Sequence, residues 1–134
     1  MIPPQMRDVG KNMLSRSLKM GNALAIHSYS HDYKYLYHGS AANKAKHISC
    51  DWDWAMAQSR AILGSNYFSS AFRYPGGHMS WTNLSQADAT LAKRGVGWID
   101  WNAMSGDADA QRPTTVPGYL QMVKKSIKLS LIHI

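Results

Sequence analysis

Three short apolar runs, each ending in polar side chains, constrain the fold of this chain more than any other feature. The runs cover residues 22–27, 70–73 and 96–101, and helical patterns at residues 44–63 and 82–94 separate them. Helices that alternate with short apolar strands predict a parallel α/β sheet or barrel. In such barrels, functional residues collect at the carboxyl ends of the strands. The polar residues that follow the three runs are therefore candidates for one shared site.

The predicted helices carry apolar faces at the helical period. A first helix covers residues 6–20 and ends at Gly21, which is suited to a C-terminal cap. A last helix covers residues 118–128, and residues 32–43 and 105–117 are expected to be loops. The residues expected to face inward are Val9, Met13, Leu14 and Leu18 in the first helix, Trp54, Met56, Ala57 and Ala61 in the second, and Leu84, Ala87 and Leu91 in the third.

The composition limits both the chemistry and the partners. The 134 residues fit one domain or part of a larger one. All eight acidic residues are aspartates, so any carboxylate chemistry must come from aspartate. The net charge of +7 favours anionic partners, but the basic residues form no stripe with interleaved aromatic residues. We therefore expect no nucleic acid among the partners. The single cysteine, Cys50, excludes an internal disulfide.

His27 and His31 follow the first apolar run and are candidate metal ligands. Neutral imidazole binds zinc at ~2.0–2.1 Å, and a catalytic zinc keeps one position open for water. A His-x-x-x-His spacing alone also fits two polar loop residues. Together with the clusters after the other two runs, the pair favours a metal-dependent hydrolase.

The second and third polar clusters offer groups that could bind or orient a substrate. Arg73 precedes a Pro-Gly-Gly turn and could orient a carboxylate, although a surface ion pair fits it equally. Gly76 and Gly77 let the backbone approach a ligand and offer N–H groups to an oxyanion, or they form an ordinary turn. Asp100 ends the third run, where it could orient a histidine or a substrate hydroxyl, and Trp101 could wall a pocket.

Taken together, these clusters resemble the polysaccharide deacetylases of carbohydrate esterase family four, the NodB-homology domain. Residues 27–31 (His-Ser-Tyr-Ser-His) are similar to the second motif of that family, and residues 73–77 (Arg-Tyr-Pro-Gly-Gly) are similar to its third. Residues 100–102 (Asp-Trp-Asn) resemble the fourth motif. The stretch 31–37 looks like the peptidoglycan-deacetylase branch. The resemblance covers about residues 10–110 in the order that the family shows.

The resemblance implies a fold, a reaction and a metal. The fold would be α/β, part of a distorted (β/α) barrel, with residues 1–134 forming part of the catalytic domain. The reaction would be hydrolysis of N-acetyl groups on GlcNAc-containing polysaccharide of the peptidoglycan or chitin type. His27 and His31 would hold a divalent metal, usually zinc, which polarises the acetamide carbonyl and activates water.

The resemblance also implies roles for the other cluster residues. Arg73 would steer a general-base aspartate, and Asp100 would tune a general-acid histidine. Tyr74, Gly76 and Trp101 would contact the substrate, with the backbone at Gly76 helping to hold the oxyanion.

The two ends depart from the family pattern. The first motif, Thr-Phe-Asp-Asp-Gly-Pro, would supply the general base and the third metal ligand, and the sequence does not contain it. His133 matches the general-acid histidine of the last motif. Residues 129–134 also match the translation of a sequencing adapter, so an adapter-derived tail and a genuine final strand both remain open. We expect the first strand to be missing and this chain alone to be inactive.

The expectations for location and for function carry alternatives. No apolar run reaches the ~18 residues of a membrane span, and the start has no signal-peptide core. Either the protein is cytoplasmic, or its true start, with a signal peptide or membrane anchor, lies upstream. The resemblance implies an extracellular or cell-surface enzyme. A catalytically dead carbohydrate-binding relative is the alternative, and a basic nucleic-acid-binding module is a third hypothesis that leaves the ordered motifs unexplained.

Overall fold

The computed structural model describes residues 4–101, 103–106 and 110–131. For residues 4–7 and 128–131 it describes the backbone alone. Internal contacts divide the chain into two compact units, one up to Asp100 and one from Trp101 onward. The elements are α1 (Pro4–Lys19), α2 (Tyr33–Tyr37), α3 (Ala41–Leu63), β1 (Ala71–Phe72), a 3-10 helix (His78–Ser80), α4 (Ser85–Lys93), β2 (Gly97–Trp98) and α5 (Val116–Leu131).

The three apolar runs lie side by side and parallel, as the sequence predicts. Strand β1 pairs with β2, with Phe72 opposite Trp98, and Ile26 forms a parallel bridge to Phe72. The Arg73 N–H donates to the Ile26 carbonyl at 2.8 Å, and the Ile99 N–H donates to the Phe72 carbonyl at 2.9 Å. The central run is therefore β1, with α3 and α4 as the two crossover helices.

The paired segments are shorter than the runs in the sequence. The first run contributes only the bridge at Ile26, and the third contributes only β2, whose two residues are both exposed. Within the part of the chain that the structure describes, these segments do not close a barrel. The barrel remains a prediction, while the α/β arrangement of parallel segments and crossover helices is observed.

Helix α3 is present as predicted, but its buried face was predicted wrongly. Trp54, Ala57 and Ala61 are exposed, and of the four expected residues only Met56 is buried. The prediction failed because three polar residues, Lys44, Ser49 and Asp51, lie on the buried face and obscure its apolar pattern. The residues that α3 buries are Lys44, Ala45, Ile48, Ser49, Asp51, Trp52, Ala55 and Met56.

The two charged residues on the buried face of α3, Lys44 and Asp51, are hydrogen-bonded, as buried polar groups generally are. The Lys44 Nζ donates to the Thr82 carbonyl at 2.9 Å, which fixes the start of α3 against the segment before α4. Asp51 bonds to the loop that carries the two histidines and is described with the site. The helix begins at a Ser40 cap, whose Oγ accepts the Asn43 N–H at 3.2 Å.

Helix α2 lies in a segment that we predicted to be loop. The Asp32 side chain caps it by accepting the N–H groups of Lys34 and Tyr35, and this cap offsets the cost of a helix of only five residues. The helix also buries Leu36 and Tyr37. The aromatic-rich composition of this stretch therefore reflects packing as well as exposure.

The remaining helices follow the prediction more closely. Helix α4 buries Leu91 and Ala87, and Leu84 just before it is buried as expected. Helix α1 half-buries Leu14 and Leu18, whereas Val9 and Met13 are exposed. None of the described helices is both long and apolar enough to cross a membrane.

The second unit contains helix α5. The helix runs on to Leu131, so residues 129–131 are helical and do not form the final strand considered for this end. The Met104 N–H donates to the Ser126 Oγ at 2.8 Å, which ties the preceding loop to α5. His133 lies outside the described residues.

The hydrophobic core of the first unit lies between the parallel segments and helices α2, α3 and α4. Its largest fully buried side chains include Phe72, Tyr74, Leu36, Ile48 and Met56. Successive side chains of an extended segment point to opposite faces. Because Phe72 and Tyr74 both point into the core, the side chain of Arg73 between them points to the other face of the central run. The core thereby determines which residues of the run remain available to a site.

Candidate active site

His27 and Arg73 lie next to each other where two neighbouring parallel segments end. The His27 Nδ1 is 3.0 Å from the Arg73 carbonyl oxygen. Because a carbonyl oxygen can only accept, Nδ1 is the nitrogen that carries the proton in this contact. The neutral His27 ring therefore presents its bare Nε2, the form in which histidine binds a metal, and the carbonyl fixes the ring orientation.

His31 lies beside His27 with an exposed ring. The two ring centroids are 5.2 Å apart at an interplanar angle of 74°. Two nitrogens that bind one zinc at ~2.0–2.1 Å must lie within about 4 Å of each other. Two imidazole rings whose centroids are 5.2 Å apart can bring one nitrogen each to within that distance. The structure thus brings the two predicted ligands close together, while metal binding by them remains a prediction.

The structure does not supply a third ligand beside this pair. Across residues 4–101, 103–106 and 110–131, no group of three His, Cys, Asp or Glu side chains is placed to hold a metal ion. The assignment of His27 and His31 as metal ligands therefore remains a prediction.

An unusual backbone holds the loop between the two histidines. Ser28 and His31 both have left-handed φ angles, 71° and 52°, which are uncommon for residues other than glycine. The Ser28 Oγ accepts the His31 N–H at 3.0 Å, and the Ser30 Oγ accepts the Asp32 N–H at 3.2 Å. Hydrogen bonds from side chains to the backbone therefore determine the conformation of this loop.

Asp51 is the site residue that the sequence analysis missed. Its side chain is fully buried in α3, and its two oxygens accept the N–H groups of Tyr29 and Ser30, each at 2.8 Å. It lies about twenty residues beyond the loop on another element, so no local motif reveals it. The signal available in the sequence was an aspartate on the face of α3 that buries mostly apolar side chains.

The turn after Arg73 depends on glycine for two reasons. Gly76 has a φ of +76°, and a Cβ there would lie 3.2 Å from the Trp81 Nε1. The Trp81 Nε1 and the Tyr37 hydroxyl both donate to the Pro75 carbonyl, at 2.9 and 2.8 Å. The turn is thus packed tightly on the edge of the site, and the oxyanion role of the Gly76 backbone remains a prediction.

For Gly77, the structure supports the second of the two alternatives, an ordinary turn: the Gly77 N–H donates to the Tyr74 carbonyl at 2.9 Å. This bond closes the turn, so Gly77 contributes to its shape.

Tyr74 is in the core and not at the site surface. The structure does not support our assignment of this residue to substrate binding, because its side chain is fully buried. Its hydroxyl donates to the Asp88 carboxylate at 2.8 Å. Burial, and then the hydrogen bond to Asp88, raise the pKa of the Tyr74 hydroxyl well above its usual range. His78 shares the same carboxylate at 2.9 Å and stacks on Trp98, with ring centroids 3.9 Å apart.

Asp100 lies after β2, on the same edge as His27 and Arg73. Its carboxylate accepts the Met79 N–H at 3.2 Å, which joins the third run to the 3-10 helix. Trp101 is half-buried at the start of the second unit. Asn102 lies outside the described residues. The predicted roles of Arg73, Asp100 and Trp101 in the reaction therefore remain predictions.

A cleft next to the histidine loop has aromatic walls. It measures ≈ 280 Å³ and is lined by Tyr29, Trp54, Ala57 and Gln58. The two rings are exposed and meet edge to face, with centroids 6.2 Å apart. Tyr29 lies between the two histidines in the chain, so one wall of the cleft belongs to the histidine loop.

Comparison with known proteins finds similar solved structures. The chain is similar to a CE4 esterase from Streptococcus mutans, with a TM-score of 0.80 and 41% sequence identity over 89% of this chain and 50% of that chain. It is also similar to the catalytic domain of a peptidoglycan N-acetylglucosamine deacetylase from Eubacterium rectale, with a TM-score of 0.65 and 25% identity over 89% of this chain and 54% of that chain. No family model matches the chain, and no curated protein matches it.

The chain is thus similar, in its fold and in the order of its clusters, to solved structures of the carbohydrate esterase family four type, as the resemblance of its motifs indicated. It spans about half the length of the two solved structures to which it is similar.

Proposed function

We propose that this chain carries part of the active site of a metal-dependent polysaccharide N-deacetylase. The observation that carries the proposal is the placement of His27, His31 and Arg73 at the ends of adjacent parallel segments. The reaction is hydrolysis of the N-acetyl group of GlcNAc residues, which yields a free amine on the sugar and acetate.

The metal in this proposal is a divalent ion, zinc by the chemistry of the donors. His27, through Nε2, and His31 would hold it, since borderline ions such as Zn²⁺ bind imidazole well. When bound, the ion supplies a Lewis acid for the acetamide carbonyl and a water of lowered pKa. The Arg73 carbonyl keeps His27 in the correct tautomer for this purpose.

The other residues bind and orient the substrate. The Arg73 guanidinium orients a carboxylate that acts as the general base, and Asp100 orients a histidine that acts as the general acid. The Gly76 backbone approaches the acetyl group where the tight turn leaves no room for a side chain. Trp101 forms part of the pocket wall.

The polymer that we propose as substrate is peptidoglycan or a chitin-type polysaccharide. One of the similar structures is a peptidoglycan N-acetylglucosamine deacetylase, and peptidoglycan places the reaction outside the cell or at its surface. The exposed rings of Tyr29 and Trp54 suit the apolar faces of pyranose rings, which stack on flat aromatic surfaces. A signal peptide or membrane anchor in the full-length protein fits this location.

We propose further that the 134-residue chain alone does not turn over substrate. The family places its general base and third metal ligand on a motif that this sequence does not contain. A sugar-binding relative without activity is the alternative function, and it predicts oligosaccharide binding that needs no metal.

Acetate release separates these possibilities. The chain is incubated with Zn²⁺ or Co²⁺ and chitopentaose, acetate is quantified, and sugar binding is followed by NMR with and without metal. We expect metal-dependent binding of the sugar and no acetate above the level of the Arg73→Ala variant. Sugar binding that is indifferent to metal would support the binding relative, and robust acetate release would refute the inactivity of the chain. Salt-sensitive binding to DNA without any sugar binding would contradict both functions.

A further inference from the structure

Asp51 is a buried acid that the proposed reaction does not use. Its side chain is fully buried, yet both carboxylate oxygens are occupied by backbone donors from a different element, the loop before α2. The two bonds, each 2.8 Å long, come from consecutive residues, Tyr29 and Ser30. A buried carboxylate must satisfy its oxygens, so the loop and α3 are tied together at this point.

The two donors lie between the two candidate metal ligands. Tyr29 and Ser30 lie between Ser28 and His31. The φ angles of Ser28 and His31, 71° and 52°, are both in the left-handed region. Such residues cost ~1–3 kcal/mol each and persist only where the surrounding structure fixes them. The bonds to Asp51, with the Ser28 hydroxyl bond to the His31 N–H, provide that constraint.

We propose that Asp51 is a positioning residue for the metal pair: it fixes the Tyr29–Ser30 backbone so that His27 and His31 stand ready for one ion. The inference rests on the proposed function of this site. Asp51 touches neither the ion nor the substrate. It acts through the loop, as the outer partners of metal ligands generally do.

The chemistry of the side chain explains why an aspartate suits this position. An ionised carboxylate presents acceptors on both oxygens, which matches two adjacent N–H donors. Asparagine has the same shape but carries an NH₂ group in place of one oxygen. One of the two loop N–H groups would then face another donor, and the loop would have to shift.

The first experiment compares D51N with D53N in the 134-residue chain. Asp53 lies two residues further along α3, has a half-exposed side chain and pairs with Arg94 at 3.1 Å, so D53N removes one charge without touching the loop. Zn²⁺ affinity is measured by competition with a chromogenic chelator, and the visible spectrum of bound Co²⁺ reports ligand geometry. We expect D51N to bind Zn²⁺ ~10–100-fold more weakly with an altered Co²⁺ spectrum, and D53N to match the wild type.

A second pair of variants covers the case in which D51N does not fold. D51E keeps two acceptor oxygens, while D51Q has the same length with only one. We expect D51E to bind Zn²⁺ more tightly than D51Q, and the Tyr29 and Ser30 amides to exchange with solvent faster in D51Q. Circular dichroism at the assay temperature confirms that each variant is folded.

The outcomes distinguish the two proposals. If the wild-type chain binds Zn²⁺ and D51N binds it equally well, the role of Asp51 is overturned while the metal site stands. Equal Zn²⁺ affinity of D51E and D51Q would have the same meaning. A D51N variant that is less stable but binds as the wild type does would show that Asp51 only supports the fold. Wild-type chain that binds no Zn²⁺ would overturn the metal site of the proposed function and this inference with it.

Discussion

Two buried or half-buried carboxylates organise the residues of the first unit. Asp51 holds the histidine loop, and Asp88 holds the core side of the turn through Tyr74 and His78. Each carboxylate accepts from two groups, so the loss of either one would leave donors without partners. Hydrogen bonds to charged groups contribute ~1.5–3 kcal/mol each, which makes both aspartates important for local structure.

The Tyr74 hydroxyl makes stability depend on pH in the alkaline range. Burial and the bond to Asp88 raise its pKa above the ordinary value near 10.0, so the folded state favours the neutral phenol. This contribution is complete below pH 10 and is lost as the pH rises above it, because the unfolded chain then ionises first. The pKa of Tyr37 is also raised by burial, which acts in the same direction.

Replacing Tyr74 with phenylalanine tests this linkage. We expect Y74F to lower the free energy of unfolding by ~1–3 kcal/mol at pH 8, and the difference from wild type to shrink at pH 10.5. Urea denaturation at the two pH values measures it, with Y29F as the control at an exposed tyrosine. A difference that stays constant between the two pH values would contradict the assignment.

Single residues show how far sequence reasoning reaches at a site. The pairing of His27 with His31 and the position of Arg73 followed from where apolar runs end, which the sequence displays directly. Tyr74 was misassigned because a motif neighbour of Arg73 points to the opposite face of an extended segment. Asp51 was missed because its partners lie on another element, a relation that only the folded chain reveals.

At the scale of elements, α3 connects the core to the site. Its packing partners are mainly α4 and α2, and its Asp51 reaches the histidine loop. The helix was predictable from its period, but its orientation was not, because buried polar residues with distant partners interrupt the apolar stripe. The short helix α2 was missed for a related reason: its cap and packing offset the low stability of five isolated residues.

Two tryptophans on α3 test the orientation of the helix. Trp52 is 5% exposed and meets Phe68 edge to face, whereas Trp54 is 48% exposed beside Tyr29. We expect W52A to lower the free energy of unfolding by ~3–5 kcal/mol, or to prevent folding, because it empties a core position. We expect W54A to cost less than ~1 kcal/mol. Thermal or urea unfolding of the two variants measures this, and equal or reversed costs would mean that α3 presents a different face.

At the scale of the whole molecule, the parallel order of three runs brings distant parts of the sequence to one edge. This order was predictable because each run is followed by polar residues, and because helical patterns of crossover length separate the runs. The closure of a barrel remains a prediction, since the described segments form only β1, β2 and one bridge. The chain spans about half of the structures to which it is similar.

The net charge of +7 is also a property of the whole molecule. It raises the local concentration of anionic partners, such as an anionic cell wall. The charge therefore agrees with the proposed substrate, but the named residues of the site carry the argument for function.

The measurement that tests the central claim most directly is Zn²⁺ binding by calorimetry to the wild-type chain and to the double variant H27A/H31A. H38A serves as the control, because His38 is exposed at the end of α2. The account predicts one Zn²⁺ per chain for wild type and H38A, and an affinity at least ~100-fold lower for the double variant. Equal Zn²⁺ affinity in the double variant and the wild type would contradict the assignment of His27 and His31 as the metal pair.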